Sequence, residues 1–516
     1  MSSIMLNEDC NHFIHTRHVA GIQVGINELC SFIDQYANTD VKDLLFNVNA
    51  MLAFFPSKSR ENAIDKYLRL LKAGKDMDIS GTAVKTAYDI FVKQNLDMYK
   101  IWIERSRYNG ISPWISIRMN DIHNNQDEGH FLLSSFFEEN KHMRRVTHRP
   151  NSNYFDNALD YTFPEVQEHY LSLIKEVVER YDFDGLELDW MREVYLFKIG
   201  GESEWLKILT NFMRIVRKIL DQAEKERGHK IKICVRVPYS PEVALRFGLD
   251  VLTWARNGLV DVIVPTARWA TTDNNMPIDF WKQILDGTGA IVAAGIEILL
   301  EATRANPKYN AFNSLETARG SAYTYLNMGA DKIYLFNYMD QPSLLSHSLE
   351  FNSAVDKRNY HELLITICDL ETASKLPRRN VVTYHDIAAP GLRNGDLLPL
   401  CCSSPNSNGS MIFKNIRIET GPINKNLKRS LVLGIDSKRE LDSSDFDVYW
   451  NTNKCKLVGI ITLSAPKPNC KTYKFKIECS EKSQEAFPSA SIIEIASKNI
   501  PFSVEWAEIL INYQGC

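Results

Sequence analysis

Short apolar runs alternate with longer stretches of helical period from the start of the chain to residue 358, and this alternation limits the possible folds more than any other feature. The runs are HFIH (12–15), LLFNVNAMLAF (44–54), PWISIRM (113–119), FDGLELDW (183–190), IKICVRVP (231–238), VDVIVP (260–265), AIVAAGIE (290–297) and KIYLFNY (332–338). Most are almost continuously apolar and rich in Ile and Val, as parallel strands buried on both faces require. An open doubly wound sheet would call for a glycine-rich phosphate turn after an early strand, and the sequence has none. The expected fold class is therefore α/β, a (β/α)8 TIM barrel.

The intervening segments read as helices. Residues 164–181 place Val166, Tyr170, Leu173, Ile174, Val177, Val178 and Tyr181 on one stripe. Thr162-Phe163-Pro164-Glu165 reads as a capping box with Pro at the first helical position. Further helical stretches are expected over 204–227 and near 84–107, 241–257 and 313–328. Beyond residue 375 the texture changes to alternating strands (MIFKNIRIE, RSLVLGID, CKLVGIITL, TYKFKIEC, SIIEIAS, FSVEWAEILINY), joined by loops of Pro, Asn, Ser and Gly. The expectation is a barrel over 1–374 and an accessory all-β sandwich over 375–516, with a linker around 375–386.

At 516 residues, 44% hydrophobic and 24% charged, the chain has the composition of a globular protein with more than one core. A net charge of -4 without a basic tract argues against nucleic acid as a partner. No run reaches the roughly 18 apolar residues that would cross a membrane. The N-terminal MSSIMLNEDCNHF lacks a basic region followed by an apolar one, so a cytoplasmic location is expected, or a secreted or periplasmic one had a leader been removed. Ten cysteines without CxxC pairs read as free thiols rather than a zinc ribbon, with a disulfide left open among the six beyond residue 400. Trp450 and Trp506 are among the few aromatic residues that the β-domain offers to a sugar.

Reactive groups in such barrels stand at the C-terminal ends of the strands. In the fourth run Glu187 and Asp189 share a direction, which in a closed barrel is inward, because a charge facing the helix layer would be buried alone. About 6.6 Å apart along the strand, they should repel, raising one pKa as a general acid requires. Glu297 ends the seventh run and faces the fourth across the mouth, the arrangement for glycoside cleavage between two carboxyl groups. Arg118 near the end of the third run, Asn120 and His123 after it, Arg192 after the fourth, Arg236 near the end of the fifth and Arg268 after the sixth are all suited to binding sugar hydroxyls. Trp190, Trp269 and Tyr338 are candidates to stack on pyranose rings, with Asn337 at the end of the eighth run and Asp340 just past it.

FDGLELDWMR resembles the strand-four signature of chitinase-like glycosidases, with Asp184, Glu187 and Asp189 on its acidic ladder and Met191 in place of the final catalytic glutamate. Together with RMNDIH, ALDYTFPEV, VRVP and GLDVLTWARNGLVD it is similar, over roughly residues 10–510, to bacterial glycoside-hydrolase-like (family-10-like) barrel proteins with a C-terminal β-domain. That resemblance implies a barrel acting on carbohydrate. The wider clan of retaining barrel glycosidases implies Asp189, or else Glu187, as acid/base and Glu297 as nucleophile.

The resulting expectation is a glycoside hydrolase acting on an oligo- or polysaccharide, with no cofactor or metal. Two alternatives stay open: a barrel that binds carbohydrate without cleaving it, and a metal-dependent hydrolase or isomerase using His15, His123, Glu187 and Asp189. The HFIHTRH segment lacks the HxH spacing of the latter class. Sugar, linkage and oligomeric state are not legible in the residues.

Overall fold

The computed structural model describes residues 2–147, 154–268, 272–301, 310–350, 357–383, 387, 389, 391, 398–424, 426–462, 470–477 and 489–512. Eight parallel strands close a barrel: β1 (Ser3–Glu8), β2 (Val41–Asn47), β3 (Ser112–Arg118), β4 (Gly185–Asp189), β5 (Lys232–Pro238), β6 (Val262–Thr266), β7 (Ile291–Glu297) and β8 (Lys332–Phe336). Each pairs with its sequence neighbours, and β8 returns to β1 with Met5 opposite Tyr334. Seven expected strands are present.

The first strand is displaced. HFIH lies inside helix α1 (Cys10–Val19), and β1 is the preceding run SIMLNE. The Asp9 side chain accepts from the amide of Asn11 and starts the helix, which buries Phe13 and Ile14 on one face. A four-residue run cannot by itself distinguish a strand from one helical turn.

Helices α2 (Pro164–Arg180), α3 (Leu206–Arg227) and α4 (Leu315–Asn327) lie in the surrounding layer. The capping box before α2 does not form. Phe163 is the N-cap, and the amide and hydroxyl of Thr162 both donate to Asp160, at 2.9 and 2.8 Å. The stretch near 84–107 is divided by Asn95, whose φ is 53°, into helices ending at Tyr88 and resuming at Met98.

After β7 two short segments, Leu299–Glu301 and Asn310–Phe312, pair antiparallel on their own. The strands beyond the barrel are β9 (Arg378–Val382), β10 (Leu400–Cys402), β11 (Lys414–Glu419), β12 (Arg429–Asp436), β13 (Phe446–Trp450), β14 (Asn453–Ile461), β15 (Cys470–Ile477), β16 (Ala490–Ser497) and β17 (Phe502–Ile511). They form one antiparallel sheet, in the order β9-β17-β12-β15-β14-β13-β16-β11 with β10 beside β17. The sheet curls over a core that includes Ile416, Leu431, Phe446, Trp450, Tyr473, Ile493 and Ile509.

The expected linker is not one. Residues 378–382 are the buried strand β9, laid against α4 and paired with β17. Asn380 Nδ2 donates to the Gly320 carbonyl at 3.1 Å, Thr324 Oγ1 at 2.8 Å and the Glu419 carbonyl at 3.1 Å. Asn274, in the loop after β6, exchanges backbone hydrogen bonds with Val381 and Glu419. Trp506 packs with Val381 and Leu300, a residue of the short strand Leu299–Glu301 after β7, while Trp450 is fully buried in the β-domain. Neither tryptophan presents a ring to solvent.

A candidate active site at the C-terminal mouth of the barrel

The interior is filled from the bottom by Met5, Leu45, Trp114, Cys234, Val262, Val264, Ala293, Tyr334 and Phe336. Trp114 donates from Nε1 to Asp43 at 3.1 Å, and its ring lies against Gly185. A Cβ on Gly185 would stand 2.1 Å from that ring, so glycine in FDGLELD makes room for the indole.

Above this layer lies Glu187, 0% exposed. It accepts from Asn7 Nδ2 at 2.9 Å and from the Tyr334 hydroxyl at 2.5 Å. Both bonds favour its charged form, but burial and the neighbouring Asp189 outweigh them and push the carboxyl up to about 7.

Asp189 and Glu297, each 1% exposed, form the next layer and meet on Arg236. Arg236 Nη1 donates to both oxygens of Asp189 at 3.1 Å, and Nη2 donates to Glu297 Oε1. The Met191 amide adds a third donor to Asp189 at 3.0 Å. The guanidinium stacks 3.5 Å from the Phe336 ring centre, which holds its plane. Glu297 Oε2 has no hydrogen-bond partner among the described residues. Burial dominates over Arg236 at this carboxyl and pushes it up to about 7.

Around this pair run two further chains of contacts. Arg118 binds Asp9 at 2.6 Å and Asp121 at 3.2 Å. Burial opposes both charges. Arg118 and His12 nevertheless hold Asp9 well below the usual carboxylate range, and His123 and Arg118 do the same for Asp121. Asp121 Oδ1 faces His123 Nδ1 at 2.7 Å, and Arg192 Nη2 donates to His123 Nε2 at 2.7 Å. Nε2 must therefore be the acceptor and Nδ1 the protonated nitrogen, with its hydrogen on Asp121. On the other side Arg268 binds Glu193 at 2.6 Å, and Tyr154 donates to the same carboxylate at 3.1 Å.

Several candidates from the sequence fall outside this constellation. Trp190 is fully buried in the helix layer against Tyr161, Phe212 and Trp254, because the residue after Asp189 alternates outward. The Asn120 amide is consumed by the backbone of Leu159 and Tyr195, so it clamps loops rather than facing the mouth. Asp340 is buried under α1 on Arg17 at 2.6 Å, near the Glu8–Tyr36 pair. Tyr338 is 1% exposed and offers no open ring face. Asn337, at φ 55°, keeps a buried Oδ1 without a partner among the described residues. Trp269 lies outside the described residues.

The sequence reading missed Asn7 and Asp9, because β1 was placed one run too late. It also missed Tyr334 and Glu193, whose importance comes from partners on distant strands. Among the described residues no three His, Cys, Asp or Glu side chains are grouped to hold a metal ion, and His123 meets a guanidinium instead. No described helix is long and apolar enough to cross a membrane.

No family model and no curated protein matches the chain. Among solved structures, it is similar to the PgaB (BpsB) glycoside hydrolase domain from Bordetella bronchiseptica, at 10% identity and TM-score 0.41, over 71% of this chain and 99% of that one. Chitinase ChiW from Paenibacillus sp. str. FPU-7 matches at 10% identity and TM-score 0.38, over 97% of this chain and 52% of that one. A cycloisomaltooligosaccharide glucanotransferase from Paenibacillus sp. matches at 8% identity and TM-score 0.32, over 94% of this chain and 55% of that one. The chain thus spans about half the length of the last two.

Proposed function

We propose that the barrel is a glycoside hydrolase cleaving an oligo- or polysaccharide between Glu297 and Asp189. The same proposal divides the chain into a catalytic barrel over 1–374 and an accessory β-domain over 375–516, and keeps the resemblance to family-10-like proteins as its working frame. The observation that carries it is the Arg236 clamp: two buried carboxyl groups from β4 and β7 on one guanidinium, with Glu297 Oε2 left unbonded among the described residues.

A carboxyl pushed up to about 7 retains its proton well into the neutral range and suits proton delivery to a glycosidic oxygen. Asp189, fixed by Arg236 and the Met191 amide, is the partner that attacks the anomeric carbon or activates water. These roles are the reverse of those implied by the resemblance. They follow from which oxygen is free and which group burial favours as the acid.

The test is turnover on a panel of polysaccharides and aryl glycosides by the wild type, Glu297→Gln and Asp189→Asn. Loss of about 10²–10⁴-fold in each variant is expected, with a cooperative melting transition showing that the variant is folded, as is a basic limb near pH 7 in the wild-type rate profile. Full activity in both variants would overturn the assignment. One observation favours a barrel that binds without cleaving: both oxygens of Glu187 and of Asp189 are already engaged by protein donors. Saccharide-induced stabilisation with no turnover on any substrate would select that reading.

A further inference from the structure

Among the described residues four arginines surround the mouth, and three are neutralised by contact. Arg118 holds Asp9 and Asp121, Arg236 holds Asp189 and Glu297, and Arg268 holds Glu193. Arg192 differs. It is 5% exposed, yet among the described residues no carboxylate lies within ion-pair distance of it. Its hydrogen bonds go to the ring of His123, and among the described residues its buried Nε has no acceptor.

A buried cation without a contact partner costs free energy, and folded proteins keep one where something else supplies the counter-charge. The position of this one is informative. Its charge acts on Asp9, Asp121 and Glu297 from a distance, so the guanidinium lies among the groups at the mouth. Its Cζ is 5.9 Å from the Phe336 ring, the same ring on which Arg236 stacks. Asp121 fixes the His123 ring, and that ring holds one amino group of Arg192. The remaining donors are left for a ligand.

We propose that Arg192, oriented by His123, binds an oxyanion carried by the saccharide beside Glu297, so that the site takes an acidic sugar: a hexuronate, a sugar sulfate or a sugar phosphate. A guanidinium fork is the side chain best matched to such planar or tetrahedral oxyanions. The proposal rests on the barrel mouth being the saccharide site, as argued above, but not on its being catalytic.

The experiment is isothermal titration and thermal shift of the full chain with D-glucuronate, D-galacturonate, glucose 6-sulfate and glucose 6-phosphate. D-glucose and D-galactose serve as neutral controls. Wild type, Arg192→Gln and Arg192→Lys are compared, and turnover of aryl uronides and neutral aryl glycosides is measured in parallel.

One oxyanion class is expected to bind at least about 10-fold more tightly than its neutral counterpart. Arg192→Gln should erase that preference, a loss of about 10–100-fold in the ratio of anionic to neutral sugar affinity. Arg192→Lys should retain part of it, and it carries the test if the glutamine variant does not fold. Without ligand, Arg192→Gln should melt no lower than wild type, since it removes a charge with no ion pair; a purely structural arginine would show a fall.

Equal binding of neutral and anionic sugars, no binding of either, or a preference untouched by Arg192→Gln overturns the proposal. Cleavage of neutral glycosides without any anion preference removes it and leaves the hydrolase reading standing. Arg192-dependent binding of anionic sugars without turnover does the opposite.

Discussion

Asp189 and Glu297 stand on strands separated by two others, yet both carboxyl groups bind the guanidinium of Arg236. Neither end of that bridge is exposed to solvent by more than 1%. Water therefore cannot replace a lost partner, and each group depends on the other two.

Arg236→Met should consequently be severe. Removing the shared cation leaves two buried carboxyl groups uncompensated, which costs about 3–5 kcal/mol. Urea unfolding at pH 8 should show the full loss. At pH 5, where Glu297 can take up a proton instead, the loss should be smaller. An equal loss at the two pH values would show that packing, not charge, is what Arg236 supplies.

Glu187 makes stability depend on pH in the opposite sense to an ordinary paired carboxylate. Its folded pKa, about 7, exceeds the unpaired value of 4.5, so the folded state holds the proton more tightly. The associated stability is fully present below about 4.5 and is lost as pH rises through about 7. A shift of this size corresponds to about 3 kcal/mol. Glu187→Gln cannot ionise, so its melting temperature relative to wild type should rise between pH 5 and pH 8. A difference constant with pH would mean that Glu187 is charged in the fold throughout.

Gly185→Ala should destabilise the barrel from inside. The new methyl group would meet Trp114 at 2.1 Å, and the indole is held by its bond to Asp43. Overpacking of this kind costs about 1–3 kcal/mol. Combining Gly185→Ala with Trp114→Leu should recover part of that loss in calorimetry, since the two positions share one space. Additive losses would place the strain elsewhere.

The barrel and β-domain should not separate cleanly. Asn380→Ala removes one buried donor from the Gly320 and Glu419 carbonyls and from Thr324 Oγ1 and should cost about 1–3 kcal/mol. Expression of residues 1–374 alone should give an aggregating protein, because Ser321, Thr324 and Ala318 of α4 are buried in the full chain. Asn380→Ala should also lower the single melting transition as a whole. Two transitions in the wild type would instead indicate independent domains.

The barrel was legible in the residues because a strand buried on both faces must be an almost continuous apolar run, and seven such runs coincide with β2 to β8. The exception is instructive. IMLNE and HFIH are both short and apolar, and the side chain of Asp9 between them, by capping α1, determines which becomes the strand. The linker was misread for a related reason. Two adjacent arginines look like surface, but Arg379 binds Glu508 at 2.8 Å and Arg378 donates to backbone carbonyls, so both are buried in β9.

What the sequence by itself determined is the strand-and-helix order, the second all-β region, and the inward direction of Glu187 and Asp189, since each follows from local period and the cost of burying a charge alone. Only the tertiary structure decided how those charges are matched. Arg236 reaches Asp189 across 47 residues of chain and Glu297 across 61, while Arg192 is left with the His123 ring. Such pairings depend on strand register and barrel closure, which bring together side chains that carry no local mark of one another.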